Sequence, residues 1–404
     1  MNKRIALFLT AMALTAISLR GPIASVGSLI ESMEPDLGVS KGYLGFITTL
    51  PLLVFAASSV VIPKFANKMG HTRILTLGMI LLAIGCVGRV FAGYYVVLMG
   101  TLLVGVGISV GNVLLPAVIK ENMPLKIGIA TALYMCFQST AATAGAGFSY
   151  PMAVSADLGW RAVLAMWAIP AALAAMAWIA FARRNEGHSP ALRNKSEMRI
   201  SNGETLWKSK LAWFITIIMG VQSVNYYCIT AWLPSILEDT GMSFQTAGYV
   251  ASAFQLFSLP ATFAAPIIIA HTHNKIMPAV MSGVFYLIGI LVLMVTSNIA
   301  VILIGLFALA SGGGASFAWV VAMIAVVSKD SNEATRLSGM SQSIGYLMAA
   351  VAPTLAGFLF DMTGGWMSVM LLITVTSLLI IFFSIATGRV LKGEDTPIKS
   401  GTAE

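Results

Sequence analysis

Apolar residues run along this chain in long stretches, and polar residues collect in short clusters between them. A bilayer's hydrocarbon core takes about 20 apolar residues per helix. Measured that way, the pattern predicts twelve spans, at roughly 5–30, 43–63, 74–93, 96–119, 127–152, 161–181, 211–236, 246–269, 276–296, 299–327, 337–360 and 367–388. The basic start, Met1-Asn2-Lys3-Arg4, is like that of a signal peptide. Eleven more spans follow it, so the first is read as an uncleaved helix. The one long polar stretch, Arg183–Lys210, carries Gly, Ser, Asn, Pro and basic residues and reads as a linker. The predicted fold class is all-α: a polytopic membrane protein with twelve helices in two six-helix halves. The first half covers 1–182, the linker 183–210, the second half 211–388, and a tail 389–404.

Composition closes off the main alternatives. Of 404 residues, 58% are hydrophobic and only 10% charged. A soluble domain carries about 25% charged residues, and a disordered chain is more polar still. The net charge of +8 is explained by topology rather than by nucleic acid. With the N-terminus in the cytoplasm, twenty of the 24 Lys and Arg fall on the cytoplasmic side, as the positive-inside rule expects. Lys41, Arg89 and Arg161 lie near the outer side, and Arg20 lies within a span. Both termini are therefore expected in the cytoplasm. Cys86, Cys136 and Cys228 form no CxxC pair and read as small core residues.

The two halves echo each other. Gly38-Val39-Ser40 is matched by Gly241-Met242-Ser243, and Gly42-Tyr43 by Gly248-Tyr249. Asp157-Leu158-Gly159-Trp160 is matched by Asp361-Met362-Thr363-Gly364-Gly365-Trp366. The offset is 203 to 206 each time, which points to an internal duplication. Parallel halves with a site between them at mid-membrane are a transporter architecture.

Twelve spans, a central linker and this echo together resemble the major facilitator superfamily. That family's loop between spans 2 and 3 reads G-x-x-x-D-R-x-G-R-[RK]. Here Lys68 and Gly70 fit it, while Asn67 stands for the acid and Pro63 for the first glycine. A closer likeness is to the branch containing the bacterial cyanate and 2-nitroimidazole transporters. It rests on Leu19-Arg20, on Thr48-Thr49-Leu50-Pro51-Leu52-Leu53, and on the run Gly105 to Pro116 with Ile119-Lys120 and Pro124. Trp232-Leu233-Pro234 and the run Ser338 to Leu347 complete it. The resemblance implies a carrier in the bacterial inner membrane, moving a small planar or anionic solute by alternating access. It implies no cofactor, a small-molecule substrate, coupling to a proton or a counter-anion, and a monomer. Cyanate and nitroimidazole differ, so the substrate stays open within the branch.

Arg20 is the sharpest chemical signal. Fifteen uncharged residues, Ile5 to Leu19, separate it from Arg4, roughly 22 Å of helix. A charge at that depth costs from about 2.5 to 10 or more kcal/mol. No clearly embedded Asp or Glu is available within the predicted spans; Glu31, Asp157, Glu238 and Asp361 fall at outer ends or loops. Either Arg20 binds an anionic or dipolar substrate through its fork of donors, or carbonyls and amides satisfy it structurally. The resemblance favours the first, since the arginine fits the branch's first-span pattern. Arg89, sixteen residues after Arg73, lies near the outer surface. It either snorkels or adds a second positive charge to the pathway, and the branch pattern has an arginine here too.

The remaining candidate substrate-binding residues are Asn112, Gln138, Gln222, Asn225, Tyr226, Gln255, Gln342 and Tyr346, with Tyr227 beside them. The repeat offset maps Arg20 onto Ser223–Tyr226. One half thus offers a cation and the other amide or phenol groups, unless these only join helices. Trp232 and Phe254 either stack on a planar ligand or pack. Gly105, Gly107, Gly111 and Gly312-Gly313-Gly314 suit close helix contact. Gly107-Ile108-Ser109-Val110-Gly111 matches the hydrolase elbow, but that motif needs a strand and a histidine partner. His71, His188, His271 and His273 are all expected outside the spans, so an enzyme is disfavoured. A sensor is disfavoured too, because only about 16 residues follow the last span. The lack of embedded acids argues against a carboxylate-relay proton symporter. It leaves uptake of a protonated acid, anion exchange, passive anion exit, and proton coupling through outer-end residues such as Asp361 or Glu31. The alternative function is drug efflux of neutral heterocyclic or amphipathic compounds.

Overall fold

The computed structural model describes residues 3–39, 41–91, 93–185, 203–272 and 274–394. Most of the expected linker (186–202), most of the expected tail (395–404) and His273 lie outside the described residues. The chain is helical nearly throughout. In order the helices are α1 (Lys3–Leu37), α2 (Lys41–Met69), α3 (His71–Gly88), α4 (Tyr94–Asn122) and α5 (Ile127–Tyr150), then α6 (Gly159–Met166), α7 (Ala168–Asn185) and α8 (Gly203–Lys208). They are followed by α9 (Lys210–Asp239), α10 (Phe244–His271), α11 (Met277–Val295), α12 (Ile299–Val327), α13 (Ser331–Thr363) and α14 (Met367–Glu394).

Eleven helical stretches among the described residues are long and apolar enough to cross a bilayer. The stretch Gly159–Arg184 joins α6 and α7 into one of them. The remaining predicted span, α5, has the length at 24 residues. It is less apolar because Thr131, Gln138, Ser139, Thr140 and Thr143 interrupt it. Two boundaries differ from expectation. α1 runs 35 residues and α13 runs 33, well past the expected ends, because nothing stops either until a left-handed glycine. α14 continues to Glu394, so Arg389 and Lys392 belong to a helix and not to a tail.

Local chemistry explains the ends. Ser209, Ser243, Asn298 and Asp330 cap α9, α10, α12 and α13, each accepting backbone N–H groups that a first turn leaves free. The echoed turns share geometry as well as sequence. Gly38 (φ 64°) and Gly241 (φ 93°) follow the first helix of each half, Gly159 (φ 73°) opens the last span of the first half and Gly364 (φ 69°) precedes that of the second. This left-handed backbone favours glycine. Prolines inside the helices, such as Pro22, Pro51, Pro116 and Pro353, are tolerated because neighbouring helices supply partners for the freed groups.

Within the first half α1 packs on α5 and α7, and α3 on α4. In the second, α9 packs on α13 and α10 on α12. Small residues set these approaches. A Cβ on Gly107 would lie 2.5 Å from the Gly78 carbonyl oxygen, and one on Gly111 2.4 Å from Leu19.

The halves meet through α2 on α13 and α5 on α10. Their contacts gather at the end that carries the start of α1. There a Cβ on Gly128 would lie 2.3 Å from that of Ala270, and Ser343 Oγ donates to the Ala56 carbonyl at 2.6 Å. Lys120 Nζ, at the end of α4, donates to the Ala325 carbonyl at 2.8 Å and to that of Ser328 at the end of α12. His71 corrects an expectation. Instead of lying in a loop it opens α3, is 7% exposed, and joins Glu121 Oε1 at 2.8 Å to Thr335 Oγ1 at 2.9 Å. His271 likewise closes α10 rather than sitting in a loop.

Candidate functional site: a polar cavity between the halves

Midway along the helices a small polar cavity lies between the halves, with about 40 Å³ of free volume. That is room for only a few water-sized groups in this conformation. Six expected residues line it: Arg20, Gln138, Gln222, Tyr226, Gln255 and Tyr346. Arg20 stands on α1 two residues before Pro22. Its Nη1 donates to the Tyr226 hydroxyl at 3.1 Å, across the two halves and at the repeat offset. Its guanidinium carbon also sits 5.2 Å from the ring centres of both Tyr226 and Phe317, where ring quadrupoles favour a cation. Gln255 Nε2 donates to the same Tyr226 oxygen at 2.7 Å. Among the described residues, no carboxylate lines the cavity.

Behind the wall lies a hub on α4. The Asn112 side-chain oxygen accepts from Gln138 Nε2 (3.1 Å) and from the Tyr134 hydroxyl (3.3 Å). Its amide donates to the Tyr346 hydroxyl at 3.4 Å, and its backbone carbonyl accepts from Gln342 Nε2 at 2.8 Å. Asn112 and Gln342 are thus buried supports that orient lining residues rather than lining residues themselves, which corrects the expectation for both.

Asn225 is a clearer correction. It is fully buried and turned to α14, donating to Ser377 Oγ at 3.2 Å and accepting from Thr376 Oγ1. One residue on a helix is about 100° of rotation. Tyr226 therefore faces the cavity while its neighbour faces away. Arg89 is also outside the cavity. It neither snorkels nor faces the pathway; it is fully buried beyond the end of α3, with Nη1 donating to the Pro22 carbonyl at 3.0 Å. Its Nε and Nη2 have no hydrogen-bond partner among the described residues. Trp232 packs as well: its Nε1 donates to the Pro353 carbonyl and its ring lies 5.1 Å from that of Trp366.

The cavity also uses Ser139, Ser258, Thr262 and Phe317, which the sequence reading left out. Tyr227, Ser223, Gly313 and Gly314, named there beside the candidates, opposite Arg20 and as packing glycines, line it too. Ser258 and Thr262 follow Gln255 by three and seven residues, so helical spacing from Gln255 points to them. Gly314 serves both roles, since a Cβ there would lie 2.2 Å from Thr262 Oγ1.

Three comparisons bear on identity. The Major Facilitator Superfamily model matches residues 5–353 and 215–403. The chain is 38% identical to an uncharacterized transporter, YycB, of Bacillus subtilis (strain 168), over 92% of each chain. It is 30% identical to the 2-nitroimidazole transporter of Escherichia coli (strain K12), over 94% of this chain and 95% of that one. The cyanate transport protein CynX of the same organism is 24% identical over 89% and 91%. Among solved structures, the proton:xylose symporter XylE superposes with a TM-score of 0.75 at 14% identity, covering 95% of each chain. The chain belongs to the Major Facilitator Superfamily and is a membrane transporter, not an enzyme.

Proposed function

We propose that the chain is a secondary carrier for a small planar anion or planar dipolar solute, bound at Arg20 and moved by alternating access. The observation that carries this reading is a half-buried guanidinium at mid-membrane facing a cavity with no carboxylate among its described lining. A ligand that brings negative charge offsets the cost of that cation. The hydroxyls and amides around it fix a flat molecule's edge. Tyr226 and Phe317 bracket the guanidinium and supply faces for stacking.

Both termini are assigned to the cytoplasm on the positive-inside pattern. The tight end of the molecule is then the cytoplasmic end, and the cavity is closed from the inside. With no acid on the cavity wall, an anion enters with its own proton, exchanges for another anion, or leaves down the membrane potential. That potential is worth about 2.3 kcal/mol per charge per 100 mV. The cavity is complete within one chain, in keeping with a monomer. A second reading, efflux of neutral heterocycles, is favoured by the aromatic bracket and by the relative named for 2-nitroimidazole.

Ligand-induced thermal stabilisation of the purified protein separates the two. The panel holds cyanate, nitrate, short carboxylates and 2-nitroimidazole, with wild type beside Arg20→Ala and Arg20→Lys. A charged hydrogen bond is worth about 1.5–3 kcal/mol, so Arg20→Ala should weaken anion binding roughly 10- to 150-fold. Arg20→Lys keeps the charge without the planar fork and should fall between. Unchanged anion affinity in a folded Arg20→Ala protein would sink the anion reading. A heterocycle shift that survives in the mutant would favour the efflux reading.

A further inference from the structure

A second cleft lies in the latter half at the end that carries the start of α1, among α9, α10, α11, α12 and α14. One side of it is apolar, formed by Ile269, Ile276, Val280 and Val326; the other carries His271, Thr272, Asn274, Lys275 and Arg389. Met281 and Ile385, on α11 and α14, also line it and are 38% and 45% exposed. On a membrane-spanning helix such exposure faces lipid tails, so the cleft opens sideways toward the bilayer as well as toward water. Its rim is cationic. Lys275 and Arg389 are both exposed, and neither has an ion-pair partner among the described residues. His271 stands beside them with Nδ1 donating to the Ile267 carbonyl, which leaves Nε2 open. Among the described residues, no Asp or Glu lines the cleft.

We propose that this cleft binds an anionic glycerophospholipid, its phosphate between Lys275 and Arg389 and an acyl chain along Ile276, Val280, Met281 and Ile385. An apolar slot, lateral access and unpaired cations at interfacial depth form the combination that a charged headgroup with an attached tail satisfies. A soluble anion leaves the slot empty, and a zwitterionic lipid brings a cation of its own to a cationic rim. The site is separate from the Arg20 cavity and does not depend on what that cavity carries.

Native mass spectrometry of the delipidated full chain tests it. The probes are dioleoyl phosphatidylglycerol, dioleoyl phosphatidylcholine and glycerol phosphate. Wild type should retain the anionic lipid in preference to the zwitterionic one. Each cation near an anionic surface contributes enough that Lys275→Gln or Arg389→Gln alone lowers retention roughly five-fold, and the pair together roughly thirty-fold. The single variants serve if the double variant does not fold. Lys64→Gln with Lys68→Gln, two cations of the same end but outside the cleft, should leave retention unchanged. Equal binding of both lipids, full retention by the double variant, or an equal loss in the Lys64 and Lys68 control would overturn the proposal. Displacement of the lipid by glycerol phosphate alone would also overturn it, making this a soluble-anion site.

Discussion

Replacing Tyr226 with phenylalanine removes one oxygen atom and keeps the ring. The ring's neighbours, Tyr227 at 5.2 Å, Phe254 at 6.2 Å and the Arg20 guanidinium at 5.2 Å, keep their contacts. What is lost is an acceptor used twice, by Arg20 and by Gln255. A neutral hydrogen bond contributes about 1 kcal/mol net, and one to a charged group about 1.5–3 kcal/mol. Their sum is an upper bound, because water in the cavity takes over part of the work for both donors. The expected cost is therefore about 1.5–3 kcal/mol, most of it from Arg20. Reversible unfolding in mixed SDS micelles measures it for Tyr226→Phe, Arg20→Ala and the double variant. Because Tyr226→Phe leaves the face-on ring contact in place, the cycle isolates the hydroxyl. A coupling of about 1 kcal/mol or more is expected. Additivity within about 0.5 kcal/mol would mean that no bond joins Arg20 to Tyr226, and the picture of a cross-half cation and phenol would fail.

Three further outcomes follow from the packing and from the corrected residues. Gly128→Val drives side-chain atoms into Ala270 and the Pro266 carbonyl, so it should prop open the tight end; spin-label distances between the ends of α5 and α10 should lengthen, and unchanged distances would contradict the cross-half contact. Asn225→Ala leaves the Thr376 and Ser377 hydroxyls only their bonds to carbonyls of their own helix and should cost about 0.5–1.5 kcal/mol of stability with anion affinity intact; a selective loss of affinity would return Asn225 to the cavity. Arg89→Met trades a fully buried cation holding one hydrogen bond for an apolar chain of similar reach. Relief of the charge's desolvation should leave thermal stability unchanged or raised, and a clear drop in the melting midpoint would show a partner for Arg89.

The span pattern, the echo between the halves and Arg20 were all legible in the sequence. A bilayer demands long apolar runs, which leave a one-dimensional signature. An arginine within such a run is costly enough to stand out wherever it occurs. The repeat offset even named the region opposite Arg20, and Tyr226 is what the fold places there. Rotation about each helix was less legible. Asn225 and Tyr226 are neighbours in sequence, yet one faces α14 and the other the cavity. Asn112 and Gln138 look alike as lone polar residues in apolar runs, yet one supports the wall and the other lines it. Arg89 lies at the depth expected, but α1 and α4 close over it, and no count of residues along α3 reveals that.

The sequence by itself marked the long apolar spans, the residues too costly to bury without a purpose, and an echo between the two halves. Only the tertiary structure decided which polar side chains share a space. That choice depends on where helices distant in sequence touch, through positions such as Gly107 against Gly78 and Gly314 against Thr262. The physical reason is that hydrophobic depth is a property of a segment, whereas a binding site is a property of facing surfaces. Hydropathy records the first, and close packing between helices creates the second.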